Sequence, residues 1–277
     1  MEIKLFVCCH QPTHVPDHLL LVPIQVGAAL ADTHFSGFLH DDTGENISYK
    51  NRAYCELTAQ YWAWKNVSAD YYGFFHYRRY LYPDRKAKRP YRIECAPTLP
   101  MLTELGYDNF ENLIKRYDVI ASKGEDLHFS VLEHYSHAPF HHDKDLKLVE
   151  RIISEQTPQF SAAMSSYLSG TMSYFGNIYI MERKFFSSYC QWLFPILEEF
   201  DRRADLSGYG PQEQRVDGYL AERLLGCFLT YMKGNSGCRY LELPRVHFYQ
   251  GTRTKILYQL LPPGTRRRAF IKLLSRI

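Results

Sequence analysis

The chain has 277 residues, and several features that mark special classes of protein are missing from it. No run comes near the roughly 18 consecutive apolar residues that a membrane-spanning helix needs. Cysteine is sparse, odd in number and scattered: Cys8, Cys9, Cys55, Cys95, Cys190, Cys227 and Cys238, with no C-x-x-C. Neither a disulfide framework nor a cysteine-built zinc site is expected, and a reducing compartment is. Met1-Glu2-Ile3-Lys4 runs into a strand-like segment with no leader-type apolar region, so the expectation is a soluble, cytoplasmic protein. There is no P-loop, no internal repeat and no low-complexity linker. Neither sign of charge dominates, with 33 Lys and Arg against 30 Asp and Glu. That balance excludes a nucleic-acid-binding body.

Aromatic residues are plentiful: 22 Tyr, 17 Phe and 3 Trp make 15% of the chain. Such rings line clefts for flat or sugar-like ligands, or fill a core. The charge is also uneven. Residues 251–277 hold seven Lys and Arg and no acid, which leaves 26 basic against 30 acidic residues, a net −4, in residues 1–250. The chain therefore reads as one domain over 1–250 with a basic tail over 251–277. Within the tail, Phe270, Ile271, Leu273, Leu274 and Ile277 mix with five basic residues. A helix of that composition suits an anionic inner-membrane surface, a packed face of the body, or a partner.

Apolar runs at Ile3–Cys9, Asp70–Phe75 and Asp118–Ala121 predict buried strands, and Tyr174–Met181 alternates as a strand does. Helical spacing covers Asn51–Asn66, Pro100–Arg116, Asp143–Glu155, Arg183–Arg203 and Gln212–Lys233. The Pro- and Lys/Arg-rich stretch 83–100 reads as a loop. Strands alternating with helices predict an α/β fold, a mostly parallel central sheet flanked by helices.

In such sheets ligands bind beyond the carboxyl ends of the strands. Those positions hold His10 after the first strand, His76-Tyr77-Arg78-Arg79 after the second, and the polar turn Asp41-Asp42-Thr43-Gly44-Glu45-Asn46 between them. Guanidinium forks match phosphate oxygens, so Arg78 and Arg79 are candidates for a phosphate or diphosphate. Side chains alternate along an extended chain, so at most one of the two aims at it, and Arg79 is favoured. The Asp41-Asp42 pair reads either as a divalent-cation site for Mg²⁺ or Mn²⁺ or as a simple turn. Four of the 12 histidines fall at His134, His137, His141 and His142. Their spacing matches no common structural zinc site, and a polar substrate-facing loop is the preferred reading. Glu222, beside Arg223 in an apolar helix that opens at Asp217, is either a catalytic carboxylate or an exposed helical charge.

Several long segments occur in order: Phe6-Val7-Cys8-Cys9-His10, Pro23-Ile24-Gln25-Val26-Gly27, Asp41–Ser48, Lys50-Asn51, Tyr54–Ala59, Tyr61–Asn66 and His76–Tyr80. They continue through Tyr135–His142, Asn177–Met181, Tyr189–Phe194, Glu222–Leu225 and Glu242–Pro244. Together they resemble the bacterial domain-of-unknown-function family numbered 4422, over about residues 3–250, found in capsule, exopolysaccharide and O-antigen gene products. The resemblance implies a GT-A-like nucleotide-sugar-binding fold and a glycosyltransferase, some relatives being galactofuranosyltransferases. It implies a nucleotide-sugar donor, with UDP-galactofuranose and UDP-galactose as candidates, and a glycan or lipid-linked acceptor. On that basis donor contacts fall to His10, Gln25, Gly27, Asp41, Asp42, Asn46, Lys50, Asn51, His76, Arg78 and Arg79. The acceptor loop falls to Tyr135, His137, His141 and Asn177. Most GT-A enzymes carry a metal-binding Asp-x-Asp where this chain has His76-Tyr77-Arg78-Arg79. No metal is therefore required in this reading, and the arginines neutralise the leaving diphosphate. Glu222 is the expected base of an inverting transfer, with Asp217 and His142 in reserve. A binding module without activity, or a hydrolase or phosphotransferase using Asp41-Asp42, is the alternative.

Overall fold

The computed structural model describes residues 1–235, 237–249 and 260–261. The basic tail after residue 250, with its proposed membrane face, lies outside the described residues apart from that last pair. The strands are β1 (Ile3–Cys9), β2 (Leu21–Gln25), β3 (Leu39–His40), β4 (Tyr71–His76), β5 (Arg79–Leu81), β6 (Tyr91–Glu94), β7 (Val119–Ser122), β8 (Glu125–Asp126), β9 (Met172–Ser173), β10 (Tyr179–Glu182), β11 (Tyr240–Leu243) and β12 (Arg245–Phe248). The helices are α1 (Asn51–Tyr54), α2 (Leu57–Asn66), α3 (Leu99–Glu104), α4 (Phe110–Ile114), α5 (Val131–His137), α6 (Asp143–Gln156), α7 (Ser161–Ser169), α8 (Arg183–Arg203) and α9 (Val216–Asn235).

The main sheet runs β11-β7-β10-β4-β1-β2-β3. Its pairings are parallel except on either side of β10, which lies antiparallel between β4 and β7. The fold is therefore α/β with a mostly parallel central sheet flanked by helices. β1 and β4 read as nearly continuous apolar runs, interrupted only by Lys4 and ended by His76, because both of their faces are covered. Phe6, Cys8, Tyr72 and Phe74 point into a core shared with α2, α6, α7, α8 and α9, where Phe6 stacks on Phe74 at 5.3 Å. Leu5, Val7, Cys9 and Phe75 point the other way, onto α3, α4 and the ribbon of β5 and β12. Each such fully buried side chain stabilises the fold by about 1.5–3 kcal/mol.

Three departures from the periodic pattern matter for the site. The helix expected over Asn51–Asn66 is broken at Cys55, whose φ of 53° ends α1. The strand expected over Tyr174–Met181 begins only at Tyr179, so residues 174–178 form a loop at the carboxyl edge of β4. The stretch 83–100 contains β6, which pairs with β12, because Tyr91 turns inward to stack on His247 at 4.1 Å. Cys8, Cys9, Cys55, Cys190 and Cys227 are buried thiols outside any disulfide. Among the described residues no helix is long and apolar enough to cross a membrane.

Candidate active site

The chain leaves β2 through Gly27, whose φ of +68° suits glycine, and a Cβ there would stand 2.6 Å from the Asn51 side chain. This tight approach is organised by Asp41, which is completely buried. Its carboxylate accepts from the backbone N–H of Gly27 and of Ala28 at 2.9 Å, and from the Ser48 and Thr58 hydroxyls at 2.5 Å. Four donors occupy it, so it faces neither a donor sugar nor a cation. Asn51 donates to the Cys55 carbonyl at 2.7 Å and to the Thr58 hydroxyl at 3.0 Å. Gln25 is buried between Thr33 and Phe35. Asn46 closes its own turn onto Asp42, Gly44 and Ser48. Lys50 bridges to Asp201 of α8 at 2.8 Å. Asp42 meets His34 at 2.9 Å, while its other oxygen is buried without a hydrogen-bond partner. Of the expected donor contacts, Gln25, Gly27 and Asp41 are buried and their polar groups are taken up within the protein, whereas Asn46, Lys50 and Asn51 stay partly exposed. Among the described residues no three His, Cys, Asp or Glu side chains group as a metal site would require.

What remains at the carboxyl edge is a cluster of cations facing two carboxylates. β4 turns back into β5 through Tyr77 and Arg78, and this turn parts the two arginines. Arg78 lies over the rings of Tyr77 and Tyr249, in a pocket of about 460 Å³ that also meets Gln11 and His14. Arg79 lies on the other side, its Nη1 3.6 Å from where a Cβ on Gly176 would stand. Arg215, in the turn just before α9, adds a third guanidinium. Burial, and then the charges of Arg79 and Arg78, push the His76 imidazole down to about 2. His10 is lowered by burial, Arg215 and Arg78. Both rings are held neutral in a positive field.

The loop 174–178 supplies the opposite wall. Gly176, at φ +86°, donates its N–H to Glu222 Oε1 at 2.6 Å. Asn177, at φ +49°, donates from its side chain to Glu56 Oε1 at 2.8 Å. Burial, aided by the Glu222 charge, raises the Glu56 carboxyl, and Asn177 and Arg215 pull it down by less. Glu56 and Arg215 escaped the sequence reading. Glu56 sits within one of the segments that carry the family resemblance, yet helical phase treats it as a surface charge. Only the break at Cys55 turns it inward.

The remaining expectations divide. Asn177 and Glu222 are in the cleft. Asp217 is completely buried, faces Lys50 and Asp201, and has neither oxygen hydrogen-bonded among the described residues; burial holds its carboxyl far above the usual range. It is corrected from reserve base to interior residue. His142 pairs with Glu213 at 2.9 Å. The histidine cluster disperses: His134 approaches Arg223 at 3.4 Å, His137 bonds the Glu133 carbonyl of its own helix, and His141 stacks on Tyr219 at 4.2 Å. Tyr135 is fully buried beneath His141, in the core rather than on a substrate loop.

A solved structure, the bifunctional glycosyltransferase WbbM in its apo form, superposes with a TM-score of 0.84 at 28% identity, covering 90% of this chain. The chain spans 45% of that protein's length. No curated protein matches at a significant level. A family model matches residues 4–233, from the first strand to the end of the helix that carries Glu222. The chain therefore belongs to the family described as domain of unknown function DUF4422.

Proposed function

We propose that this chain is a glycosyltransferase that moves a hexosyl group from a nucleotide-sugar donor to a glycan or lipid-linked acceptor. The observation that carries the reading is electrostatic. Arg78, Arg79 and Arg215 gather at the carboxyl edge of a parallel sheet without an ion pair to any described carboxylate, while Glu56 and Glu222 stand across from them. A diphosphate is the ligand that such a set of forks neutralises, and its departure is the event that they would stabilise. A carboxylate then serves as base for in-line attack with inversion. The likeness to a bifunctional glycosyltransferase supports the transferase class. UDP-galactose and UDP-galactofuranose, a bacterial surface polysaccharide as product, independence of Mg²⁺ and Mn²⁺, and a place at the inner membrane face complete the proposal.

A panel of nucleotide sugars, with and without EDTA, tests it by thermal shift. Ligand at 100 times Kd adds about 2.7 kcal/mol to the folded state. The expected result is stabilisation by one class of nucleotide sugar, unchanged by EDTA, with slow donor hydrolysis and an inverted product by NMR. Binding with no hydrolysis and no transfer would identify a binding module instead. Binding that EDTA abolishes would restore a metal to the mechanism.

A further inference from the structure

The two cleft carboxylates are committed to different partners. Glu222 Oε1 is taken by the Gly176 N–H, and its Oε2 lies 3.7 Å from Nη1 of Arg223. Arg223 is 1% exposed, its Nε has no hydrogen-bond partner, and its other polar neighbours are the Ser173 hydroxyl and His134, each at 3.4 Å. Glu222 is the carboxylate set against this buried cation, and both of its oxygens are engaged by the protein. Glu56 carries no such obligation. It forms no ion pair among the described residues, and its side chain is held at Oε1 by Asn177, which leaves Oε2 for a substrate.

The backbone is strained on both sides of that one hydrogen bond. Cys55, at φ 53°, precedes Glu56, and its carbonyl accepts from the Asn51 side chain and the Thr58 backbone N–H. Asn177, at φ 49°, is held by Gln60 at its carbonyl and by Gly218 at its side chain. Non-glycine residues in this region cost about 1–3 kcal/mol each and persist where the surroundings over-determine them, commonly at reactive sites. Resting on the glycosyl-transfer reading above, we infer that Glu56 is the catalytic residue that deprotonates the acceptor hydroxyl, and that Glu222 and Asn177 are positioning residues.

The step balances. Glu56 takes the hydroxyl proton, and the acceptor oxygen bonds to the anomeric carbon. The bond from that carbon to the diphosphate oxygen breaks, its electron pair leaving with the nucleoside diphosphate. The groups that face Glu56 are Glu222 from α9, Arg215 from the preceding turn, Cys8 from β1, Cys55 beside it, and the Tyr179 and Tyr189 rings. Burial and Glu222 move its carboxyl up, toward the range useful to a base.

The test uses the full chain and the donor that the panel selects. Glu56→Gln should lower transfer by about 10²–10⁴-fold while the calorimetric Kd for donor stays unchanged. Glu56→Ala should still transfer to azide, which needs no deprotonation, giving an inverted glycosyl azide. Glu222→Gln should lower transfer by less than Glu56→Gln does and move the acid limb of the kcat/KM profile to lower pH, because it removes a charge that raises Glu56. Near wild-type transfer by Glu56→Gln, loss of its donor binding, or azide rescue in Glu222→Ala instead would overturn the assignment. Absence of transfer by the wild type with every donor would overturn the glycosyl-transfer reading itself, and the assignment with it.

Discussion

The two ends of the central sheet carry similar charged residues and use them in opposite ways. At the amino ends of the parallel strands, Asp70, Asp118, Glu182, Arg183, Lys184 and Arg239 line a hollow of about 720 Å³. Every cation there has an acid: Arg239 with Asp118 at 3.0 Å, Lys184 with Glu182 at 3.4 Å, Arg183 with Asp70 at 3.7 Å. Burial pushes the Asp118 carboxyl up, and the Arg239 hydrogen bonds outweigh it, so the net shift is downward. At the carboxyl ends the pocket beside Arg78 is smaller, about 460 Å³, and Arg78, Arg79 and Arg215 have no such partners among the described residues. The larger hollow is the electrostatically finished one. Unspent charge, rather than volume, distinguishes the end that we propose receives the ligand.

The contrast is broken most directly by exchanging which arginines are lost. Arg79→Ala should weaken nucleotide-sugar binding by about tenfold to a hundredfold, the worth of one charge-assisted phosphate contact. Arg79→Lys should recover part of it, since an ammonium lacks the fork. Arg239→Ala and Arg183→Ala should leave the affinity unchanged in the same calorimetric titration. Equal losses at both ends would erase the distinction.

Asp41 sharpens it from inside the cleft wall. Asp41→Asn removes an acceptor from four buried donors and should lower stability by about 1–3 kcal/mol in urea unfolding. Donor affinity, measured well below the unfolding midpoint, should change little. A large affinity loss in a fully folded variant would return Asp41 to the ligand-binding set.

The smallest expected effect is in the pH dependence. The His76 imidazole is held at about 2 when folded, against an ordinary value near 6.5. Between these values the unfolded chain binds a proton that the folded chain refuses, so stability rises with pH up to about 6.5 and is then flat. Over pH 5 to 6.5 this one group accounts for a rise on the order of 1–2 kcal/mol. His76→Gln should flatten that rise, and an NMR titration should find the wild-type ring neutral at pH 5. A ring that protonates near 6 would mean that the arginine field is screened.

Much of the architecture was legible in the residues themselves. The largely apolar run of Ile3–Cys9 and the long spacings of Arg183–Arg203 reappear with the expected bounds, because burial on both faces or on one stripe writes a pattern into the sequence. The strand order directs attention to the carboxyl ends of the parallel strands, where His10, His76, Arg78 and Arg79 lie. The direction in which a polar side chain points was not legible. Asp41 and Asp42 are neighbours with the same chemistry, yet one is sealed by four donors and the other meets His34 near the surface. Helical spacing gives no reason for Glu56 to turn inward; the turn at Cys55, held by Asn51 and the Thr58 backbone N–H, swings it toward Asn177, 121 residues away. Local periodicity is decided by neighbours in sequence, and the chain writes it plainly. Pairing of charges is decided by contacts between distant segments, and only the closed fold determines which carboxylates are satisfied and which are left for chemistry.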